Sequence, residues 1–192
     1  MPTKTPTKTP THTKVDIQLN TEPLKEALYR HFYLFDEFTF RKDNPKSPHK
    51  EMQDIIFRYN DRKNYHNDRS KFNEEHDAVW YKSADIIPEV KDVVFDLMCK
   101  VRGERLGMVL CTKLGPGKNI EPHTDGGWHA EYYKKYYVAV KNQPGATFYF
   151  TDGEITPNEG EVYEFKNSLP HWVKNKSNDD RIALIVCIKG DE

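Results

Sequence analysis

The chain has few of the features that mark secreted, membrane or nucleic-acid-bound proteins. Cysteine is scarce: three residues, Cys99, Cys111 and Cys187, an odd number with no C-x-x-C spacing. That excludes a disulfide framework and reads as buried thiols in a reducing compartment. No apolar run approaches the length of a membrane span, and the N-terminal residues form no apolar leader, so the expected location is cytoplasmic. Twenty-nine basic residues face thirty acidic ones, a net charge of −1, so the whole-chain balance gives no argument for a nucleic-acid partner. A length of 192 residues suits one domain with a real core.

Residues 1–14 repeat a Pro-Thr-Lys-Thr unit with almost no apolar side chain to bury, and read as a flexible tail with polyproline character. Residues 15–192 then read as one domain, helical and irregular over 15–103 and strand-rich over 104–190. Val15–Asn20 alternates as a first strand. Thr21-Glu22-Pro23 opens a helix running to about Phe32. Residues 41–73 are polar and broken by proline, and read as a solvated loop apart from a short strand or helix at 52–59. Pro88 starts an amphipathic helix, with Val90, Val93, Val94, Leu97 and Met98 at helical spacing, ending near Gly103.

Beyond Arg105 the period changes from helix to strand. Leu106–Leu114, Asn119–His123, Tyr136–Val140, Ala146–Thr151, Gly160–Phe165, His171–Lys174 and Arg181–Lys189 are separated by turn residues. The third and fourth read as a hairpin around Asn142–Gly145, and Asp125-Gly126-Gly127 as the start of a flexible loop through Tyr133. Helices first and dense short strands later give a mainly β fold with N-terminal helices, a jelly roll of two packed sheets.

Three candidate metal ligands lie in the strand-rich part: His123 and Asp125 in an H-x-D pair, and His171. An H-x-[DE] pair alone carries little, since roughly one arises by chance at this composition. The chain also contains His49-x-Glu51, His66-x-Asp68 and His129-x-Glu131. What distinguishes His123 is its company: a Gly-Pro-Gly turn before it, strands around it, and a second histidine followed by Arg181. Two imidazoles and a carboxylate form a facial set on non-haem Fe(II) that leaves positions open. Arg181 can fork onto a carboxylate of a dicarboxylate co-substrate.

Leu114, Pro116-Gly117, Ile120, Pro122-His123, Asp125, Gly160-Glu161, the H-x-V-x-N of His171 to Asn175, and Asp180-Arg181 together resemble the aspartyl/asparaginyl β-hydroxylase family. The likeness covers about residues 76–190. It implies a double-stranded β-helix of cupin-like architecture and the cofactor set Fe(II), 2-oxoglutarate and O2. It also implies a metal site of His123, Asp125 and His171, with Arg181 on the far carboxylate of 2-oxoglutarate. Where many relatives carry Arg-x-His, this chain has Lys135-Tyr136-Tyr137, and Lys135 and Tyr137 are expected to meet the C1 carboxylate. The implied function is hydroxylation of an unactivated C–H of an amino-acid side chain, in a protein Asp or Asn or in a free amino acid such as proline. The partner is then a small molecule or a peptide. Two other classes compete: a cupin-like metalloprotein that does without 2-oxoglutarate, which has no need of Arg181, and a non-catalytic binding module.

Overall fold

The computed structural model describes residues 10–39, 41–43 and 45–190. The elements run β1 (His12–Gln18), α1 (Glu22–Arg30), β2 (Gln53–Asn60), α2 (Arg62–Tyr65), β3 (Ala78–Trp80), α3 (Ser83–Ile86), α4 (Glu89–Lys100) and β4 (Gly103–Leu114). Then come β5 (Asn119–His123), α5 (Trp128–Tyr132), β6 (Lys134–Lys141), β7 (Ala146–Phe150), β8 (Gly153–Ile155), β9 (Glu161–Phe165), β10 (His171–Asn175) and β11 (Arg181–Gly190). Seven strands form one sheet in the order β1-β9-β6-β11-β4-β2-β3, and four form a second in the order β5-β10-β7-β8. All pairings are antiparallel. This is the mainly β jelly roll expected, with helices on one outer face.

The central strands β4, β6 and β11 of the seven-stranded sheet are buried on both sides, and period-2 alternation sorts their side chains. On β11, Ile182, Leu184, Val186 and Ile188 join Val109 and Cys111 of β4 and Val138 and Val140 of β6 in a cluster with the helices. Leu24 and Leu28 of α1 and Val90, Val94 and Leu97 of α4 supply the helical half of that cluster. The intervening residues face the other sheet. Tyr137, Ala139, Ala183 and Leu114 pack there with Ile120, Phe148, Phe150, Phe165 and Val173. By the same alternation Lys135 sits on the face of Tyr137, and Arg181 on the face of Ala183, towards the space between the sheets.

The turns of the H-x-D region form as their residues dictate. Gly117 has φ 72°, as the Pro-Gly turn requires, and its N–H bonds Asn175 O at 2.8 Å. Gly160, at φ 82°, carries Leu19 against its backbone, Leu19 N to Gly160 O 3.0 Å; a Cβ there would meet Leu19 O at 2.4 Å.

Four expectations are corrected. The tail read over 1–14 gives way at its end to β1, because Thr13 to Val15 pair with β9 through backbone groups that need no apolar side chains; residues 1–9 lie outside the described residues. The short strand or helix read at 52–59 is the interior strand β2, between β3 and β4, but the solvated loop read after it gives way to α2, whose Tyr65 is buried; its four residues show no apolar period to announce that turn. β6 and β7 are no hairpin. The chain crosses between sheets at Asn142–Gly145, and β7 pairs with β10 and β8 instead. The loop after Asp125 is folded: Gly127 at φ 83° leads into α5, which buries His129.

Candidate active site

β5 and β10 deliver the two histidines. His171 stands opposite His123 in the ladder, while Val173 stands opposite Ile120, so β5 carries an extra residue here. Pro122 has no N–H to give to the ladder, and Glu121 N turns away to Pro48 O at 3.0 Å. The imidazole centroids are 4.4 Å apart. Each ring is fixed by its own strand: His123 Nδ1 to Glu121 O at 2.7 Å, and His171 Nδ1 to Leu169 O at 2.9 Å. A carbonyl only accepts, so Nδ1 carries the proton and Nε2 keeps its lone pair. Both Nε2 atoms approach Asp125, His123 at 3.9 Å from Oδ1 and His171 at 3.7 Å from Oδ2.

The electrostatics of these groups suit metal ligation. Burial lowers the pKa of His123, and lowers that of His171 to about 4, so both rings are neutral near pH 7. Burial pushes Asp125 up, but the Lys135 ammonium, hydrogen-bonded to its Oδ2, together with His171 holds the carboxyl well below its usual range. Two neutral imidazole nitrogens and an ionised carboxylate are the donor set that suits Fe(II), and the backbone-bonded Nδ1 atoms give the ring orientation a metal site needs.

His123, Asp125, Lys135, Tyr137, His171 and Arg181 all line one cavity of about 60 Å³ between the sheets. Arg181 is 2% exposed, with its guanidinium 5.0 Å from the Tyr137 ring centroid. Arg181 Nε and the Tyr137 hydroxyl are buried without a hydrogen-bond partner. Two buried donors, one of them charged, facing an apolar wall of Phe148 and Val173 fit a carboxylate. Desolvation would otherwise cost about 1–3 kcal/mol for each. Lys135 is directed at Asp125, and Tyr137 stands beside Arg181, places that differ from the C1-carboxylate contact expected for both.

Asn175 ends the H-x-V-x-N motif, and its role is structural. Its Nδ2 donates to Leu114 O and to Asp179 O, both at 2.8 Å, joining the end of β10 to the end of β4 and the turn before Arg181. Trp172 stacks on Tyr149 at 5.5 Å, and Trp128 stacks on Tyr132 at 5.3 Å; neither lines the cavity. His129 is held away from the ligand set by Met108 N, which donates to its Nε2 at 3.2 Å.

Sequence reasoning passed over His49. Its ring lies 4.5 Å from that of His123, and His49, His123 and Asp125 place ligand-type atoms within 4.8 Å of one another. A cleft of about 280 Å³ adjoins the cavity and shares Arg41, His49, His123, Asp125 and Lys135 with it. The only signal in the sequence was another H-x-[DE] pair, His49-x-Glu51, inside a proline-broken loop.

The family model for aspartyl/asparaginyl β-hydroxylase matches residues 49–190, further towards the N-terminus than the motifs alone reach. Among curated protein sequences none matches significantly. The fold is similar to an oxidoreductase of the 2OG-Fe(II) oxygenase family from Burkholderia pseudomallei, at 13% identity and TM-score 0.54 over 84% of this chain and 77% of that one. It is also similar to a viral collagen prolyl hydroxylase from Paramecium Bursaria Chlorella virus-1, at 13% identity and TM-score 0.54 over 95% and 97%. A Pseudomonas putida prolyl-4-hydroxylase gives 12% identity and TM-score 0.51 over 95% and 94%. Among the described residues no helix is long and apolar enough to cross a membrane. With the family match covering most of its length, the chain belongs to the aspartyl/asparaginyl β-hydroxylase family.

Proposed function

We propose that this enzyme hydroxylates an unactivated C–H of an amino-acid side chain, in a protein Asp or Asn or in a free amino acid such as proline, with Fe(II), 2-oxoglutarate and O2. The observation that carries this reading is one cavity holding both a two-His, one-Asp cluster and a buried Arg181–Tyr137 pair with orphaned donors. A cupin-like protein without the co-substrate would have no use for that second feature. In the proposed arrangement His123 Nε2, Asp125 and His171 Nε2 hold the metal on one side, leaving the other for reactants. Arg181 and Tyr137 hold the far carboxylate of 2-oxoglutarate. Lys135 keeps Asp125 ionised and oriented. Met108, Leu110, Phe148 and Ile185, which line the cavity, exclude water from the reacting atoms. When bound, Fe(II) and 2-oxoglutarate supply the oxidation of the C–H bond by O2; the protein supplies orientation and a dry site.

The test is a turnover assay with Fe(II), 2-oxoglutarate and air against free amino acids and peptides containing Asp or Asn. Succinate formed in step with one added oxygen on a substrate, and lost in His123→Ala, is the expected result. Product formation that is unchanged when 2-oxoglutarate is omitted would contradict the reading.

A further inference from the structure

The loop that precedes β2 is tied to the strand that carries His123. Glu121 N donates to Pro48 O at 3.0 Å and Asn119 N to Glu51 Oε2 at 2.9 Å, while within the loop Met52 N donates to His49 O at 3.1 Å. The ties hold Arg41 and His49 in the walls of both the cavity and the outer cleft. Arg41 Nη1 donates to Oδ2 of Asp54 at 3.2 Å, and Asp54, 2% exposed, sits in β2 opposite Thr112. The guanidinium is therefore anchored on the sheet. Its Nη2 meets Nε2 of His49 at 3.1 Å.

A guanidinium only donates, so His49 Nε2 accepts and the proton of the neutral ring lies on Nδ1. That Nδ1–H is buried and has no partner. A protonated Nδ1 is no metal ligand, which separates His49 from His123 and His171, whose strands put the proton on the far nitrogen. What remains is a fixed N–H donor beside the metal ligands, backed by a cation, on a residue that lines a cleft of about 280 Å³. The complementary chemistry is an anionic oxygen acceptor.

We propose that His49 Nδ1–H and Arg41 form the subsite that recognises a carboxylate of the substrate. This rests on the oxygenase reading above and adds a substrate class to it: a free amino acid held by its α-carboxylate, or a peptide held by an Asp side chain. Both sources present the same group, and a neutral carboxamide is discriminated against.

The anaerobic complex of the full chain with Fe(II) and 2-oxoglutarate is formed first and followed by its visible absorption, and probes are then added. The probes are free L-amino acids, their α-carboxamides, and end-blocked peptides carrying a central Asp or Asn. Perturbation of the band by a free amino acid, with its carboxamide about tenfold weaker or worse, assigns the α-carboxylate; preference for the Asp over the Asn peptide by the same margin assigns the side chain. Arg41→Gln and His49→Phe are each expected to weaken the preferred probe about tenfold or more, with Arg41→Lys intermediate. Neither substitution removes a proposed metal ligand or the Arg181 anchor, so the loss of probe affinity should exceed any change in the affinities for Fe(II) and 2-oxoglutarate. Equal binding of acid and amide, no response to any probe, or unchanged probe affinity in both variants would overturn the proposal. Loss of Fe(II) on His49→Phe would make His49 a ligand instead. A wild-type protein that forms no band before any probe is added removes the oxygenase reading, and this proposal with it.

Discussion

His171 of β10 is the direct cross-strand partner of His123 in β5, and their imidazole centroids lie 4.4 Å apart. An extra residue in β5 and the missing N–H of Pro122 make that juxtaposition possible, because a regular ladder would place Val173 opposite Glu121. Both rings bond backbone carbonyls through Nδ1, and both direct Nε2 at Asp125. The close approach of the two imidazoles is thus built into two strands, while Asp125 comes from the segment that follows β5.

Arg181 and Tyr137 give the first prediction. Arg181→Gln removes a buried charged donor, and the concentration of 2-oxoglutarate needed for half-saturation should rise on the order of 10- to 100-fold. Tyr137→Phe removes a neutral donor and should cost less, about 5-fold. A 2-oxoglutarate titration at fixed Fe(II) checks both, and equal effects of the two substitutions would contradict the assignment.

Asn175 gives a stability prediction. Asn175→Ala leaves Leu114 O and Asp179 O without the side chain that satisfies them, in a place 1% exposed. The expected loss is about 1–3 kcal/mol, read by urea unfolding. Because Asp179 precedes the turn into Arg181, 2-oxoglutarate affinity should fall as well, while Fe(II) affinity changes little.

The residues that gather at the candidate site and most of the fold were legible in the sequence for different reasons. Strands β4, β5, β9, β10 and β11 are bounded by turn residues and carry β-branched or aromatic side chains, so their existence followed from local chemistry. The six singled-out residues, His123, Asp125, Lys135, Tyr137, His171 and Arg181, line one cavity. Partner choice was not legible: alternation marks β6 and β7 as strands but cannot say that they belong to different sheets. Nor was Arg41–His49 visible, since its meaning lies in Asp54 and His123, which come from other elements. α5 escaped notice because five residues between two turns show no period.

His129 predicts a pH effect on stability. Burial, with His76 and Lys135 adding to it, lowers its pKa from 6.5 to about 3. The unfolded chain binds a proton below about pH 6.5, whereas the folded ring stays neutral until about pH 3. Stability from this group is therefore complete above pH 6.5 and is lost as the pH falls through that window. His123 and His171 are shifted in the same direction, so urea midpoints of the wild type should fall steeply from pH 7 to pH 4. In His129→Gln that fall should be shallower by on the order of a few kcal/mol. Identical slopes would contradict a neutral buried His129.

The central claim is that His123, Asp125 and His171 bind Fe(II) beside 2-oxoglutarate. Its most direct test is an anaerobic Fe(II) titration in the presence of 2-oxoglutarate, followed by visible absorption, for wild type and His171→Ala. The account predicts a weak charge-transfer band in the wild type that saturates with one metal per chain and is absent from His171→Ala. A band of the same intensity and affinity in His171→Ala, or bound iron with no band in the wild type, would contradict it.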